Sequence, residues 1–436
     1  MKIKSVTVGN YKNLAETTIN LSQVVSLVST NNYGKSNLLE AIKFGFDFIS
    51  SSLKSRLAMM NWVKGIPLTP TIAGKDFIFS IEFDDPSLGE YRYVRYSFRF
   101  AWHNDKGTGS RITDESLEIR SNESVRYKGY LKRDKGLFRA SKDKTGFRKL
   151  ILSSNMLAID AISAIKNVEI AGVIGKVKDI SYRMCDTLQL DSSFQPSPIE
   201  FDFGSNPSLP FDDEDIPRAL SVLKKEKPDR FELFIETIYD LFPEFNRVEL
   251  HTYTLKTDNQ PQIKAIMVSD DRKEEIPYKI RDELHRIIIE SSFLNQPLSL
   301  EYMSTGTKRI FWLIANAVFA GCNSTNILSV DEIETSIHPR MIENLLKALV
   351  DILGDTSLLV TSHSPYLIQY LKPESIYVGV PNSEGIAVFK RVQAGKVKAL
   401  LNAARELDLS VGEYLFELMS GDDDAAAVLS AYLEEF

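Results

Sequence analysis

The chain has 436 residues, 43% hydrophobic and 25% charged, which is enough for two or three core-bearing lobes. A formal charge of −7 excludes a protein that coats nucleic acid by bulk electrostatics and leaves only a local basic face for that role. The two cysteines, Cys185 and Cys322, stand without a Cys/His cluster, so neither a disulfide framework nor a zinc site is expected, and no apolar run reaches the roughly 20 residues of a membrane span.

The N-terminal MKIKSVTVGN reads as a strand rather than a signal peptide, and with the cysteine usage it predicts a cytoplasmic protein. Val24, Val25, Leu27 and Val28 form a β-branched-rich run, as in a strand buried on both faces. Leu38, Leu39, Ile42, Phe46, Ile49 and Leu53 then recur at helical spacing. Between them lies SLVSTNNYGKS, residues 26–36, which follows the phosphate-loop pattern G-x-x-x-x-G-K-[ST] except that Ser29 replaces the first glycine. In such a loop Gly34 lets the backbone approach phosphates, Lys35 brings an ammonium to the β and γ phosphates, and Ser36 offers a hydroxyl to Mg²⁺. Ser29 restricts the backbone at the strand exit but removes no phosphate ligand. The competing interpretation is an ordinary Asn-Asn-Tyr-Gly turn.

Up to about residue 155 the pattern is mostly strands. Phe77, Phe79, Ile81 and Phe83 alternate with Ile78, Ser80 and Glu82, and Val94, Tyr96, Phe98 and Phe100 with Arg95, Ser97 and Arg99, predicting an antiparallel sheet with one wet face. From Arg126 to Lys149 ten Lys or Arg stand against Asp134 and Asp143, with Tyr127, Tyr130, Phe138 and Phe147 interleaved; this is either a nucleic-acid-binding face or a solvated hairpin. Apolar residues from Leu157 to Ile174 predict one helix over about 156–177, opening an inserted region over 156–228. Residues 192–217, with five prolines and the run Asp212, Asp213, Glu214, Asp215, read as a loop. A helix over 230–241, strands near 247–254 and 261–268 and a helix near 281–291 follow in a last segment over 229–436.

Three further stretches carry chemistry. YMSTGTKRIFWLI places Ser304, Thr305 and Gly306 at the start of an apolar helix, a second anion-binding N-terminus. NILSVDEIETSIHP is a strand ending in Asp331 and Glu332, the first suited to a Mg²⁺ shell and the second to activating water. LLVTSHSP is a strand ending in Ser362, His363 and Ser364, which brings an imidazole to a γ-phosphate.

Taken in order, these motifs resemble the ABC-class ATPase heads of the RecF, SMC and OLD lineage. More narrowly, GNYKNLAE, GKSNLLEAI, MSTGTKR, DEIETSIHP and TSHSPYLI resemble the AAA-15/AAA-21 ATPases over residues 3–55 and roughly 229–380. The resemblance implies an α/β, ABC-type head: a mixed central sheet with flanking helices, an antiparallel β lobe over residues 1–155 and a helical insertion. It implies ATP and Mg²⁺ as cofactors, a phosphate cradle of Asn31, Asn32, Tyr33, Gly34, Lys35, Ser36 and Asn37, and an aromatic-basic pair, Tyr11 and Lys12, near the adenine. Ser36 and Asp331 would hold the metal, Glu332, His363 and Lys35 would act in catalysis, and Ser304 and Gly306 would form the signature. Thr335 to His338 fall at the family's interface-crossing loop, although His338, before Pro339, also suits a plain helix cap.

The partners implied are a second copy, as homodimer or larger homo-oligomer, and a separate effector, nuclease or toxin, triggered by DNA or a phage protein, as in anti-phage members such as PARIS, Septu and retron-associated ATPases. The alternative is a RecF-like repair ATPase binding DNA through the 126–149 face. The C-terminal stripe Val428, Leu429, Tyr432, Leu433 is expected either to dock the effector or to close the ATPase core.

Overall fold

The computed structural model describes the chain except for residues 32, 68, 134–136, 139–147, 150–151, 166–167, 186–189, 196–197, 202–210, 212–213, 256–263, 270–271, 381–383 and 435–436. Its contacts group into two units: Met1–Cys185 with Thr325–Ile333 and Gly354–Phe436, and Asp186–Ser324 with Glu334–Leu353.

The first unit holds two six-stranded sheets among the described residues. One is antiparallel, in the order Thr17–Asn20, Lys2–Gly9, Phe77–Asp84, Tyr93–Ala101, Arg111–Arg120, Lys128–Lys132. Its pairing sets Phe77 opposite Phe100, Phe79 opposite Phe98, Ile81 opposite Tyr96 and Phe83 opposite Val94, all buried, while Glu82 and Arg95 meet on the outer face as an ion pair of 3.2 Å. The alternation therefore delivers the predicted sheet with one wet face. The other sheet runs Tyr182–Cys185, Ile327–Val330, Ser357–Ser362, Val24–Val28, Ile376–Gly379, Phe389–Arg391, with every pairing parallel but the last. Helix Lys35–Ser50 buries Leu38, Leu39, Ile42, Phe46 and Ile49 in the shared core, as its spacing requires.

The helix predicted over 156–177 is two short helices, Ala158–Ser163 and Ala171–Lys178. Both bury their apolar residues, but Ile165, between them, is 47% exposed and breaks the stripe. The N-terminal amide of Ile159 donates to the buried Glu115 carboxyl at 3.0 Å, and Tyr96 Oη donates to it at 3.1 Å. At the other end, helices Val397–Glu406, Val411–Ser420 and Asp423–Tyr432 close a second core with Val28, Ile376 and Val378. Leu429 and Leu433 are buried in it and Arg391 Nε bonds Glu434 at 2.9 Å, so the C-terminal stripe seals its own unit and leaves Val428, 43% exposed, outside.

In the second unit helices Ile216–Glu226, Pro228–Leu241, Thr305–Cys322 and Pro339–Leu353 accompany a sheet of Phe245–Thr254, Glu283–Ser291 and Leu298–Ser299. The helix expected near 281–291 is thus a strand. His285, Ile287, Ile289 and Ser291 are buried and their alternates half-buried, a period of two that the unbroken Ile287-Ile288-Ile289 run conceals. Asp215, from the acidic run, caps helix Ile216–Glu226 through the Arg218 N–H and pairs with Arg281 at 2.5 Å.

Candidate active site

Strands Ile327–Val330, Ser357–Ser362 and Val24–Val28 lie side by side and parallel, so their carboxyl ends share one edge of the sheet. That edge is where open α/β sheets receive ligands. From Val28 the chain turns through residues 29–34 into helix Lys35–Ser50, whose N-cap is Gly34 at φ 105°. No side chain caps this terminus and no acidic residue lies in its first turn, so its N–H groups and partial positive charge suit an anion.

Lys35 is buried and folds back along the loop. Its Nζ donates to Ser29 O at 3.0 Å, Ser29 Oγ at 3.1 Å and Thr30 O at 3.1 Å, and lies 3.3 Å from His363 Nδ1. Ser29, in the place of the first glycine, does not take a positive φ, so the position asks for room rather than backbone freedom. Gly379 on the adjacent strand supplies it: a Cβ there would come within 2.6 Å of Ser29 Cβ and 2.6 Å of Tyr33 Cδ1.

The carboxylates stand at the next strand end. Asp331 Oδ2 accepts from Ser36 Oγ at 2.8 Å, tying the loop to the Asp-Glu pair. Thr361 Oγ1 donates to Asp331 Oδ1 and accepts the Glu332 N–H at 2.7 Å. Glu332 itself has φ 46°, a left-handed backbone that is uncommon away from glycine. His363 Nε2 lies 3.6 Å from Glu332 Oε1. Burial and the neighbouring Lys35 charge hold the His363 pKa below the usual imidazole range. Ser36 Oγ and Asp331 Oδ2 converge as hard oxygen donors of the kind Mg²⁺ prefers, beside a helix terminus that suits phosphate; the residues present fit a magnesium nucleotide.

Other predicted residues take different places. Asn37 Nδ2 donates to Asn13 Oδ1 at 2.8 Å, and Asn37 Oδ1 accepts from Lys12 Nζ at 3.2 Å; Lys12 also pairs with Glu40. Tyr33 Oη donates to Ile386 O at 3.0 Å, so its side chain anchors the loop rather than facing phosphate. Asn31 is exposed, and Asn32 lies outside the described residues. Tyr11 is 1% exposed, enclosed by Phe44, Trp62, Phe77 and Trp102, and offers no ring face to a base. Its expected role beside the adenine is corrected to a core role: strand Lys2–Gly9 has ended, and the turn at Asn10, with φ 57°, breaks the alternation and puts Tyr11 in the core.

In the second unit Ser304 caps helix Thr305–Cys322, its Oγ accepting the Thr307 N–H at 3.2 Å. Gly306 meets the segment 335–338 so closely that a Cβ would lie 2.5 Å from Ser336 O. His338 Nδ1 accepts the Arg340 N–H at 3.3 Å, as a helix cap would.

In the described part of the 126–149 stretch Arg133 is used internally, whereas Arg126, Lys128 and Lys132 are exposed. The guanidinium of Arg133 donates to Met156 O at 2.5 Å and Ser153 O at 3.2 Å, and the Tyr127 ring lies 4.2 Å and 4.5 Å from the guanidinium carbons of Arg95 and Arg120. Residues 134–136 and 139–147, which hold Lys135, lie outside the described residues.

Residues 30–369 match the family AAA_21, described as "AAA domain, putative AbiEii toxin, Type IV TA system". The chain belongs to the AAA_21 family. No curated protein matches it in sequence. Among solved structures, this AAA_21 chain is similar to the SMC head bound to the C-winged helix domain of ScpA, with TM-score 0.51, 14% identity, and coverage of 92% of this chain and 100% of that one. It is also similar to the SMC head domain with an extended coiled coil bound to the C-terminal domain of ScpA derived from Pyrococcus furiosus, with TM-score 0.52, 11% identity and coverage of 93% and 99%. At these identities the likeness is one of fold: the AAA_21 chain has the architecture of an ABC-type ATPase head.

Sequence reasoning missed Thr361. The available signal was a hydroxyl in SLLVTS, a strand buried at every position, where a polar group needs a partner.

Proposed function

We propose that the protein binds ATP with Mg²⁺ and hydrolyses it as an ABC-class ATPase. The observation that carries this is the meeting of Lys35, Ser36, Asp331, Glu332 and His363 at one sheet edge, although they come from three separate stretches of sequence. A bound magnesium nucleotide would supply the phosphoanhydride to be cleaved. Lys35 and the amides opening helix Lys35–Ser50 would bind its phosphates, and Ser36 with Asp331 would hold the metal. Glu332 would orient and deprotonate the attacking water, and the imidazole of His363 would lie against a phosphate oxygen. The test is Glu332→Gln, which should bind ATP as tightly as the unaltered protein while turning it over far more slowly, beside Lys35→Ala, which should lose binding. Unchanged hydrolysis by Glu332→Gln would refute the assignment.

The signature at Ser304 and Gly306 completes the site of a second copy in this proposal, so ATP joins copies into a homodimer or larger homo-oligomer. Mixing Lys35→Ala and Gly306→Arg subunits should then restore part of the activity, and mixed assemblies without recovery would contradict it. The oligomer is proposed to control a separate effector in the cytoplasm, a nuclease or toxin of an anti-phage system. The family description, which names a toxin of a toxin-antitoxin system, supports this placing. The test is co-purification of ATP-bound protein with the product of a neighbouring gene. The alternative is a repair ATPase that binds DNA through the 126–149 face, where Arg126, Lys128 and Lys132 are exposed and Arg133 is engaged within the fold.

A further inference from the structure

Thr361 lies two residues before His363, in a strand that also buries Ser357, Leu358, Leu359, Val360 and Ser362, and it is fully buried. An aliphatic residue would satisfy the packing there. The hydroxyl instead makes two bonds of opposite sense to adjacent residues of another strand end, donating to Asp331 Oδ1 and accepting the Glu332 N–H at 2.7 Å. A single proton sets both. Because the hydroxyl has one hydrogen and two lone pairs, its donation to Asp331 leaves a lone pair for the Glu332 amide, and neither bond competes with the other.

The consequences differ for the two carboxylates. With Oδ1 held by Thr361, Asp331 turns Oδ2 toward Ser36 Oγ, 2.8 Å away. At Glu332 the bond fixes the main chain, and it does so where φ is 46°, a conformation that persists in a non-glycine residue when its surroundings hold it. That backbone turn aims the Glu332 side chain to within 3.6 Å of His363 Nε2. The Ile333 N–H also reaches Thr361 O at 3.4 Å, so three consecutive residues of the Asp-Glu turn are registered against this one threonine.

We propose that Thr361 is the positioning residue of the site, setting the metal-facing oxygen of Asp331 and the backbone of Glu332 through one hydroxyl. The proposal rests on the ATPase reading for its kinetic consequence and on the fold alone for its structural one. Thr361→Val keeps the shape and removes the hydroxyl, and Thr361→Ser keeps the hydroxyl. In the nucleotide-free protein, amide hydrogen exchange over residues 331–333 should quicken about tenfold or more in Thr361→Val, remain near the unaltered rate in Thr361→Ser, and be unchanged in strand Val24–Val28. With ATP, kcat should fall about 10- to 100-fold in Thr361→Val, the effect expected of a misplaced group. Its Kd for a fluorescent ATP analogue should change by less than about threefold, the Mg²⁺ concentration for half-maximal rate should rise, and Thr361→Ser should recover most of the loss. Should Thr361→Val fail to fold, Thr361→Ala is compared with Thr361→Ser in the same exchange measurement. Unchanged exchange over 331–333 in a folded Val or Ala variant overturns the proposal. Faster exchange in a protein that hydrolyses no ATP even unaltered sustains the positioning role and sinks the ATPase reading instead.

Discussion

The phosphate loop with its strand-end carboxylates and the signature turn are both helix N-termini, but they are made in opposite ways. In the first unit the site is a set of side chains: Lys35, Ser36, Asp331, Thr361 and His363 touch one another through ammonium, hydroxyl, carboxylate and imidazole. In the second unit the signature is a matter of backbone, with Ser304 capping its helix and Gly306 fitted against Ser336 O, whose residue has φ 64°. A region built from side chains loses function in proportion to the chemistry removed. A region built from close backbone approach loses it when almost any atom is added.

The largest expected effect tests the first half of that contrast. Glu332→Gln should lower kcat about 100- to 10,000-fold, the range for removal of a general base, with melting temperature unaltered. A fall in stability that accounts for the lost rate would place Glu332 among the structural residues. Next comes the support behind the loop. Leu429 shares a core with Val28, the last residue of the strand feeding the loop, so Leu429→Ala should cost about 2–5 kcal/mol in denaturant unfolding. Deleting residues 421–436 should leave the protein insoluble; a soluble truncation with full ATPase activity would detach the loop from that core. For the second region, Gly306→Ala should cost about 1–3 kcal/mol by overpacking and lower turnover while leaving ATP affinity at the unaltered value. Unaltered stability and turnover would show that the turn tolerates added atoms.

An effect that depends on pH lies in the first unit, away from both regions. Burial raises the Glu115 pKa from 4.5 to about 7, outweighing the amides of Ala158 and Ile159 and the guanidinium of Arg133, which favour its charged form. Folding therefore takes up a proton there: the contribution is complete below pH 4.5 and is lost as pH rises through 7. Glu115→Gln should flatten the stability profile across that window, and a slope identical to that of the unaltered protein would assign the titration elsewhere.

Much of the site was legible because its parts announce themselves locally. A β-branched run, a loop ending in Gly34-Lys35-Ser36 and a helical stripe can be read within 30 residues. Asp331, Glu332 and His363 were legible as strand ends, and parallel pairing did the rest. What escaped depends on partners distant in sequence. Tyr11 was expected near an adenine, and Phe44, Phe77 and Trp102 enclose it instead. Strand Glu283–Ser291 hid its period of two behind three isoleucines, and its pairing with Phe245–Thr254 decided the matter. Leu429 and Leu433 form a stripe that suits a foreign surface as well as their own, and only the three-dimensional core distinguishes the two.

The substitution at the head of the phosphate loop has a consequence for how motifs are recognised. A glycine requirement is ordinarily assigned to a single position in a string. Here the space that a glycine would leave at residue 29 is left at residue 379 instead, on a neighbouring strand 350 positions away, and the serine fills it. The requirement thus belongs to a pair of facing residues, and the vacancy is free to sit on either. A search that scores each column of a motif independently will count such a chain as damaged, although Gly379 leaves Ser29 its room.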